Sequence, residues 1–358
     1  MEAVSLGSNL PILIQTMWKE GLSYSDLEKP EAIISRIEGL KEIGCSLLRF
    51  AVPNMEAAEI VGNLASMLTM PLVADIHFDH KIALRCMDFP IAKIRINPGN
   101  IGGKEKVRAV LSRAEERNIP IRIGINAGSL PKDLQREVDN GELKLPMAMV
   151  KAAERELDIF KEHDFSNVLV SMKASSVADT ISANEIFSKR SDVPLHIGVT
   201  EAGPLIAGVV RSTAALLELL SKGIGDTIRV SLSDTMEREV IAGREILTLL
   251  DELKGDTIRR AAPPGLRIIS CPRCGRAAFD THGFTERHFK KLYAYKKNMS
   301  VAIMGCEVNG PGEARDADIG ITGAGNRVLI FCKGKIVKTI NAEEADDVFW
   351  QELDEYSS

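Results

Sequence analysis

Eight short apolar runs, each followed by a stretch with helical spacing, occupy about the first 250 of the 358 residues of this chain. They fall at 12–17, 46–52, 72–77, 93–97, 121–126, 168–173, 195–200 and 227–233, mostly about 25–35 residues apart. Between them lie amphipathic stretches such as 30–43, 104–117, 148–163, 183–189 and 204–222. Repeated strand–helix units of this length build parallel sheets, because each helix returns the chain to the start of the next strand. Eight of them predict a (β/α)8 TIM barrel; a doubly wound open sheet is the alternative with the same rhythm.

The strands carry charge where a fully buried parallel strand should be apolar. Successive side chains point to opposite faces, so Lys93, Arg95 and Asn97 share one face, as do Arg122, Gly124 and Asn126. Asp75 with His77, Ser171 with Lys173, and Arg229 with Ser231 and Ser233 repeat the pattern. In a barrel the shared face is the interior. Charges there cost several kcal/mol unless they are paired or face a ligand at the open mouth, which the carboxyl ends of the strands form. Arg49, Arg95, Arg122 and Lys173 all stand at or near strand ends, and Asp75 and Glu201 neutralise only part of their charge. A dianion would supply the rest, since guanidinium forks match phosphate oxygens and lysine adds a point charge. His77 closes its strand and is expected to touch the ligand, whereas His196 comes early in its strand and is expected in the core. Residues 99–103 suit either a phosphate-cradling loop or a plain βα turn. No G-x-G-x-x-G follows a strand, so no bound nicotinamide is expected.

Bulk properties narrow the class. An apolar fraction of 45% supports a large core, and a net charge of −5 argues against general nucleic-acid binding. Six cysteines in a chain this long do not make a disulfide scaffold, which favours a reducing cytoplasm. Residues 1–10 lack the pattern of a signal peptide, and no apolar run is long enough to span a bilayer.

A further helical pattern at 236–253 leads to Ala261-Ala262-Pro263-Pro264-Gly265, which breaks regular structure and divides a barrel domain, 1–260, from a second domain, 261–358. The second domain is expected to be α+β, with strands at 266–270, 300–304, 318–321, 327–332 and 335–340 and helices at 285–296 and 342–356. Its order of elements resembles the cluster-bearing domain of sulfite and nitrite reductases. Two segments carry its chemistry: Cys271-Pro272-Arg273-Cys274-Gly275-Arg276, and Met304-Gly305-Cys306-Glu307-Val308-Asn309-Gly310-Pro311-Gly312-Glu313. Three thiolates suit a [4Fe-4S] cluster with one iron open to another ligand, or a zinc site with an open position. The Gly-Pro-Gly bend gives Glu313 a route back to the same centre. Cys45, Cys86 and Cys332 sit in apolar contexts and are expected to be packed thiols.

C-P-x-C-G-R followed by M-G-C-x-V-N-G-P-G-E resembles the family of 4-hydroxy-3-methylbut-2-enyl diphosphate synthases, iron–sulfur enzymes of the deoxyxylulose-phosphate pathway, and the likeness extends over nearly the whole chain. Glu307 departs from the family pattern, which has an apolar residue there. The resemblance implies a [4Fe-4S] cluster on Cys271, Cys274, Cys306 and Glu313. It places Arg49, His77, Arg95, Arg122, Asn126, Lys173 and either Ser231 or Ser233 around the diphosphate of 2-C-methyl-D-erythritol 2,4-cyclodiphosphate. It puts Asp75, Thr200 and Glu201 near the reacting carbons; of these, Glu201 is our expected general acid or base near the departing oxygen. It implies two single-electron deliveries from a flavodoxin or ferredoxin. The short connection from the bottom of the barrel favours a homodimer in which the cluster of one chain serves the barrel of another, an arrangement the resemblance also implies. A zinc-dependent barrel hydrolase of a phosphorylated substrate and a non-catalytic cluster carrier or sensor are the alternatives.

Overall fold

A computed structural model describes residues 10–255 and 263–357. The chain divides into two compact units, Met1–Ala262 and Pro263–Ser358. Residues 1–9, where no signal-peptide pattern was read, and the Ala261-Ala262 part of the interdomain break lie outside the described residues. No helix among the described residues is long and apolar enough to cross a membrane.

The first unit is a barrel of eight parallel strands. They are β1 (Leu13–Met17), β2 (Leu47–Ala51), β3 (Leu72–Asp75), β4 (Lys93–Ile96), β5 (Ile121–Asn126), β6 (Val168–Lys173), β7 (His196–Ile197) and β8 (Thr227–Ile228). Their order is β6-β5-β4-β3-β2-β1-β8-β7. A parallel bridge between Val170 and Leu195 joins the two ends, so the sheet closes on itself. Closure excludes the open doubly wound sheet. The outward residues of the strands, Leu48, Phe50, Ala74, Ile94, Ile96, Ile121 and Ile123 among them, are at most 1% exposed beneath the helices. Each large apolar side chain buried this way contributes about 1.5–3 kcal/mol. Asn54, Ser176 and Thr235 cap the helices Met55–Met67, Val177–Ser188 and Met236–Lys254 by accepting a backbone N–H from the first turn. Such a cap stabilises a helix by about 1 kcal/mol.

Two strands are shorter than their sequence patterns. β7 ends at Ile197 because the next residue, Gly198, lies against the backbone of Arg229; a Cβ there would come within 2.3 Å of the Arg229 carbonyl oxygen. β8 ends at Ile228; the Arg229 N–H still donates to the Ile197 carbonyl at 3.1 Å, and the backbone beyond it bonds elsewhere. The Leu232 N–H donates to Glu239 Oε1 at 2.9 Å and the Ser233 N–H to the Gly203 carbonyl at 3.0 Å.

The second unit holds a five-stranded sheet ordered β13-β12-β11-β10-β9. β9 (Leu266–Ser270), β10 (Met299–Met304) and β11 (Ile319–Ala324) run parallel; β12 (Arg327–Cys332) and β13 (Lys335–Asn341) complete an antiparallel meander. Alternation along β10 sends Val301 and Ile303 to one face, where they pack with Phe284, Phe349, Trp350 and Leu353 of the helices Thr281–Ala294 and Ala345–Tyr356. Ala302 and Met304 go to the other face and pack with Cys271, Ala314, Ala317 and Phe331. The cysteine turn therefore covers the face that the helices leave free.

Candidate active site and metal centre

Strand register assembles the barrel site. Asp75 stands opposite Arg95, Arg95 opposite Arg122, and Asn126 opposite Lys173 on neighbouring parallel strands. These side chains enclose a cavity of about 210 Å³ lined by Met17, Arg49, Asp75, His77, Arg95, Arg122, Asn126, Ser171, Lys173, Thr200, Arg229 and Ser231. The chain thus brings together every expected diphosphate residue except Ser233, together with Asp75 and Thr200. Ser233 uses its backbone to pin Gly203 and is not among the lining residues. Gly124 makes room for the Arg95 guanidinium, since a Cβ there would fall 2.3 Å from Nε.

Five basic side chains line this cavity, and among the described residues Asp75 is the only carboxylate that does. Arg95 Nη1 donates to Asp75 Oδ1 at 3.0 Å and lies 2.9 Å from His77 Nε2, and Arg49 Nε is 3.5 Å from Asp75 Oδ2. Burial alone would raise the Asp75 carboxyl, but the His77 hydrogen bond and the charges of Arg49, Arg95 and Arg122 hold it well below the usual range. Arg49 rests Nη2 on the thioether of Met17 at 2.8 Å, a weak acceptor that an anionic oxygen would replace. Arg122 is 1% exposed and donates from Nη1 to Ser171 Oγ at 3.1 Å, while its Nε and Nη2 are buried without a partner among the described residues. Burial and then the like charges of Arg49 and Arg95 depress its pKa. Burial brings Arg49 down to about 10.

Arg229 and Glu239 belong to this site although neither was expected in it. Glu239, 1% exposed in the first turn of Met236–Lys254, accepts from Thr16 Oγ1 at 2.6 Å, pairs with Lys19 Nζ at 2.9 Å, and receives Arg229 Nε and Nη2 at 3.3 Å. Arg229 shares its strand face with Ser231, which was the available signal. Glu239 gave only a weaker one, an acid in the first turn of an otherwise apolar helix face.

Glu201 is exposed and is not a lining residue of the cavity, next to Thr200, which is. Its φ of 50° lies in the left-handed region, which costs a non-glycine residue roughly 1 kcal/mol. The turn is held by its surroundings: Ala202 is buried with Val199 and Ala215, and Arg211 Nη1 donates to the Ala202 carbonyl at 2.8 Å. A strained residue held this firmly beside a charged cavity fits a functional position. Residues 98–101 form a short helical turn, and 99–103 are not among the lining residues, which fits the plain βα turn.

The thiols gather at the carboxyl ends of β9 and β10. Cys271 follows β9, Cys306 follows β10, and the Cys271 N–H donates to the Ile303 carbonyl at 3.0 Å. The Arg273 N–H at 3.4 Å and Asn309 Nδ2 at 3.7 Å point to Cys271 Sγ. Those donors, the Arg273 N–H foremost, lower the Cys271 pKa and favour thiolate. Gly305 is needed here, since a Cβ on it would crowd Ala277 at 3.2 Å. Val308–Glu313 forms a wide helical turn beyond Cys306. Gly310 lets that turn lie against Thr322, which a Cβ would meet at 2.6 Å. Cys306 is buried, whereas Cys274, Glu307 and Glu313 are exposed. Among the described residues no three Cys, His, Asp or Glu side chains stand close enough to share one metal ion. A four-iron cube holds its thiolates farther apart than a single ion does. The soft donor set, the N–H groups aimed at Cys271 and the paired strand ends fit such a cluster. Burial pushes the thiols of Cys45 and Cys86 up to about 12, and that of Cys332 upward, as expected of packed thiols.

A (β/α)8 barrel that gathers buried basic side chains at the carboxyl ends of its strands has the architecture of a barrel enzyme, and the same chain carries a second, thiolate-bearing module. The chain belongs to the GcpE family, matching its TIM-barrel domain over residues 1–244 and its C-terminal domain over 267–355. It is 50% identical to the 4-hydroxy-3-methylbut-2-en-1-yl diphosphate synthase (flavodoxin) of Treponema denticola, over 96% of this chain and 90% of that protein. The enzyme of the same name from Treponema pallidum is 49% identical, over 96% of this chain and 84% of that protein. The one from Thermodesulfovibrio yellowstonii is 43% identical, over 98% and 95%.

Proposed function

We propose that this chain is a cytoplasmic 4-hydroxy-3-methylbut-2-enyl diphosphate synthase that opens 2-C-methyl-D-erythritol 2,4-cyclodiphosphate reductively, with flavodoxin as electron donor. Its family and its relatives' names support the activity, and the charge of the cavity supports the substrate. Among the described residues two buried N–H groups of Arg122 have no acceptor, amid four other basic side chains, an arrangement that a diphosphate relieves. The substrate dianion takes up two electrons and one proton. One ring C–O bond breaks and leaves its oxygen on phosphorus as part of a terminal phosphate. A hydroxyl leaves as water, so the product carries three negative charges.

The chain supplies position and charge. Arg49, Arg95, Arg122 and Lys173 hold the diphosphate, with Asn126 and Ser231 donating to its remaining oxygens. Arg229 adds charge at the rim, restrained by Glu239. Asp75 stays ionised and fixes Arg95 and His77. Glu201 moves the proton near the departing oxygen, aided by Thr200. Held by Cys271, Cys274, Cys306 and Glu313, a [4Fe-4S] cluster would supply the single-electron chemistry that side chains cannot.

Anaerobically purified protein, loaded with iron and sulfide and given reduced flavodoxin, should convert the cyclic diphosphate to the linear alcohol diphosphate by mass spectrometry. Iron-loaded protein that binds the substrate yet never turns it over would defeat the redox reading, and zinc in place of iron would favour the hydrolase.

The same reading includes a homodimer with the cluster working in trans. Cys306→Ala and Glu201→Gln chains should each be nearly inactive alone. Co-expressed heterodimers should regain about half of the sites, because one barrel and one cluster then remain intact as a pair. Heterodimers that stay at background would show that each chain uses its own cluster.

A further inference from the structure

Lys173 and His196 form a buried pair of bases in the barrel wall. Lys173 Nζ lies 3.0 Å from His196 Nε2, and His196 Nδ1 lies 2.7 Å from Thr227 Oγ1. Lys173 is 7% exposed and His196 fully buried. Lys173 lines the cavity; His196 stands behind it and acts only through it. No carboxylate lies within ion-pair distance of Lys173 among the described residues. The charged groups that face Lys173 are Arg122 on β5, Arg49 on β2, Arg229 beyond β8 and, as the single acid, Glu239. His196 faces Lys173, Arg122, Arg49 and Lys93 on β4. Glu239 is already shared by Arg229, Lys19 and Thr16.

We propose, building on the diphosphate reading, that Lys173 and His196 act as one proton-accepting unit: the empty site is a proton short, and it takes one up as the substrate's charge arrives. In this unit His196 is a positioning residue. Thr227 fixes its ring, leaving Nε2 to accept from the Lys173 ammonium once that forms.

Three observations support the proposal. One proton is enough for the hydrogen bond between the two nitrogens, so the empty pair is satisfied without a full ammonium. Burial first, and then the neighbouring cations, hold both bases well below their ordinary ranges. An anion within a few ångströms reverses the neighbours' effect and favours the charged form. The ligand cannot supply the proton. Each phosphorus of a cyclic diphosphate carries one strongly acidic oxygen, which stays ionised near neutral pH. The sign follows directly. The complex holds one proton more than the separated partners, so affinity falls as pH rises.

The test is calorimetric titration of the native chain with the cyclic diphosphate, at one pH slightly above neutral, in two buffers of different protonation enthalpy. The expected result is uptake of about one proton per ligand, with Kd weakening up to about tenfold per pH unit. Lys173→Gln should bind more weakly and lose the buffer dependence. Lys93→Met should keep it, although burial brings Lys93 down to about 7 and makes it the rival base. His196→Leu, which removes the acceptor, should cut the uptake by at least about half, and His196→Gln should restore it, an outcome a purely packing role would not produce. Binding with equal heats in both buffers overturns the proposal and leaves the diphosphate reading standing. So does uptake that survives in Lys173→Gln and disappears in Lys93→Met. Uptake unchanged in His196→Leu removes His196 from the unit. No binding by the native chain overturns the diphosphate reading and this proposal with it. The native pH dependence decides the matter even if a variant does not fold.

Discussion

Cys306→Ala is expected to take iron and acid-labile sulfide to background and turnover down by about 10³-fold or more, because the lost group carries chemistry that no side chain replaces. Cys306 is buried at the end of β10, beside the strand that delivers Cys271, so no other thiol can take its place without moving the sheet. Cys86→Ala makes the matching control. It removes an equally buried sulfur, but one in the helix His80–Cys86 whose thiol burial pushes up to about 12. That change should leave iron content and turnover intact and cost about 1 kcal/mol of stability. The two carboxylates of the loop divide in the same way. Glu313→Gln should alter the cluster's electron paramagnetic resonance spectrum, and Glu307→Gln should not. Full iron content in Cys306→Ala, or equal iron loss in Cys86→Ala, would sink the assignment.

Much of this was written in the strands. Alternation along 93–97 and 121–126 puts Lys93, Arg95, Arg122 and Asn126 on the interior face from sequence alone, since a period of two leaves no other choice. The six cysteines also divided on local context alone. What sequence could not show was long-range pairing. Glu239 is buried because Thr16 and Lys19, more than two hundred residues earlier, come to it across β1 and β8. On its own helix it looks like an ordinary acid in a first turn, which the helix dipole favours. His196 was placed in the core and is there, yet its contact with Lys173 depends on how β6 and the chain entering β7 meet where the barrel closes, at Val170 and Leu195.

Strand lengths failed for a related reason. Apolar runs continue through 195–200 and 227–233, but pairing stops where Gly198 meets the Arg229 backbone. The freed backbone then shapes the rim of the cavity. Leu232 bonds to Glu239 and Ser233 to Gly203, and Ser231, not Ser233, lines the cavity. The irregular backbone that defeats a pattern-based reading is what builds this side of the site.

Arg122→Met is expected to weaken binding of the cyclic diphosphate by roughly 10–150-fold, about 1.5–3 kcal/mol for the charge-assisted bonds lost, while the folding stability of the free protein stays level or rises. The two effects have one cause. Among the described residues Arg122 makes a single hydrogen bond, to Ser171, and its Nε and Nη2 are buried without partners among like charges. A buried charge in that state works against folding, and methionine fills a similar volume without it. On the proposed reading, a bound diphosphate would give the same two N–H groups acceptors and offset the repulsion from Arg49 and Arg95. Arg122 therefore contributes to the complex what it costs the free fold. Arg95→Met should behave differently. Arg95 already donates to Asp75, so its loss leaves that buried carboxylate with only Arg49 and His77 beside it and should lower stability as well as affinity. Thermal unfolding of both variants, beside calorimetric titration with the cyclic diphosphate, checks the contrast. Unchanged affinity in both would remove the anion site from the barrel mouth. A large loss of stability in Arg122→Met would show instead that its guanidinium is a structural tie.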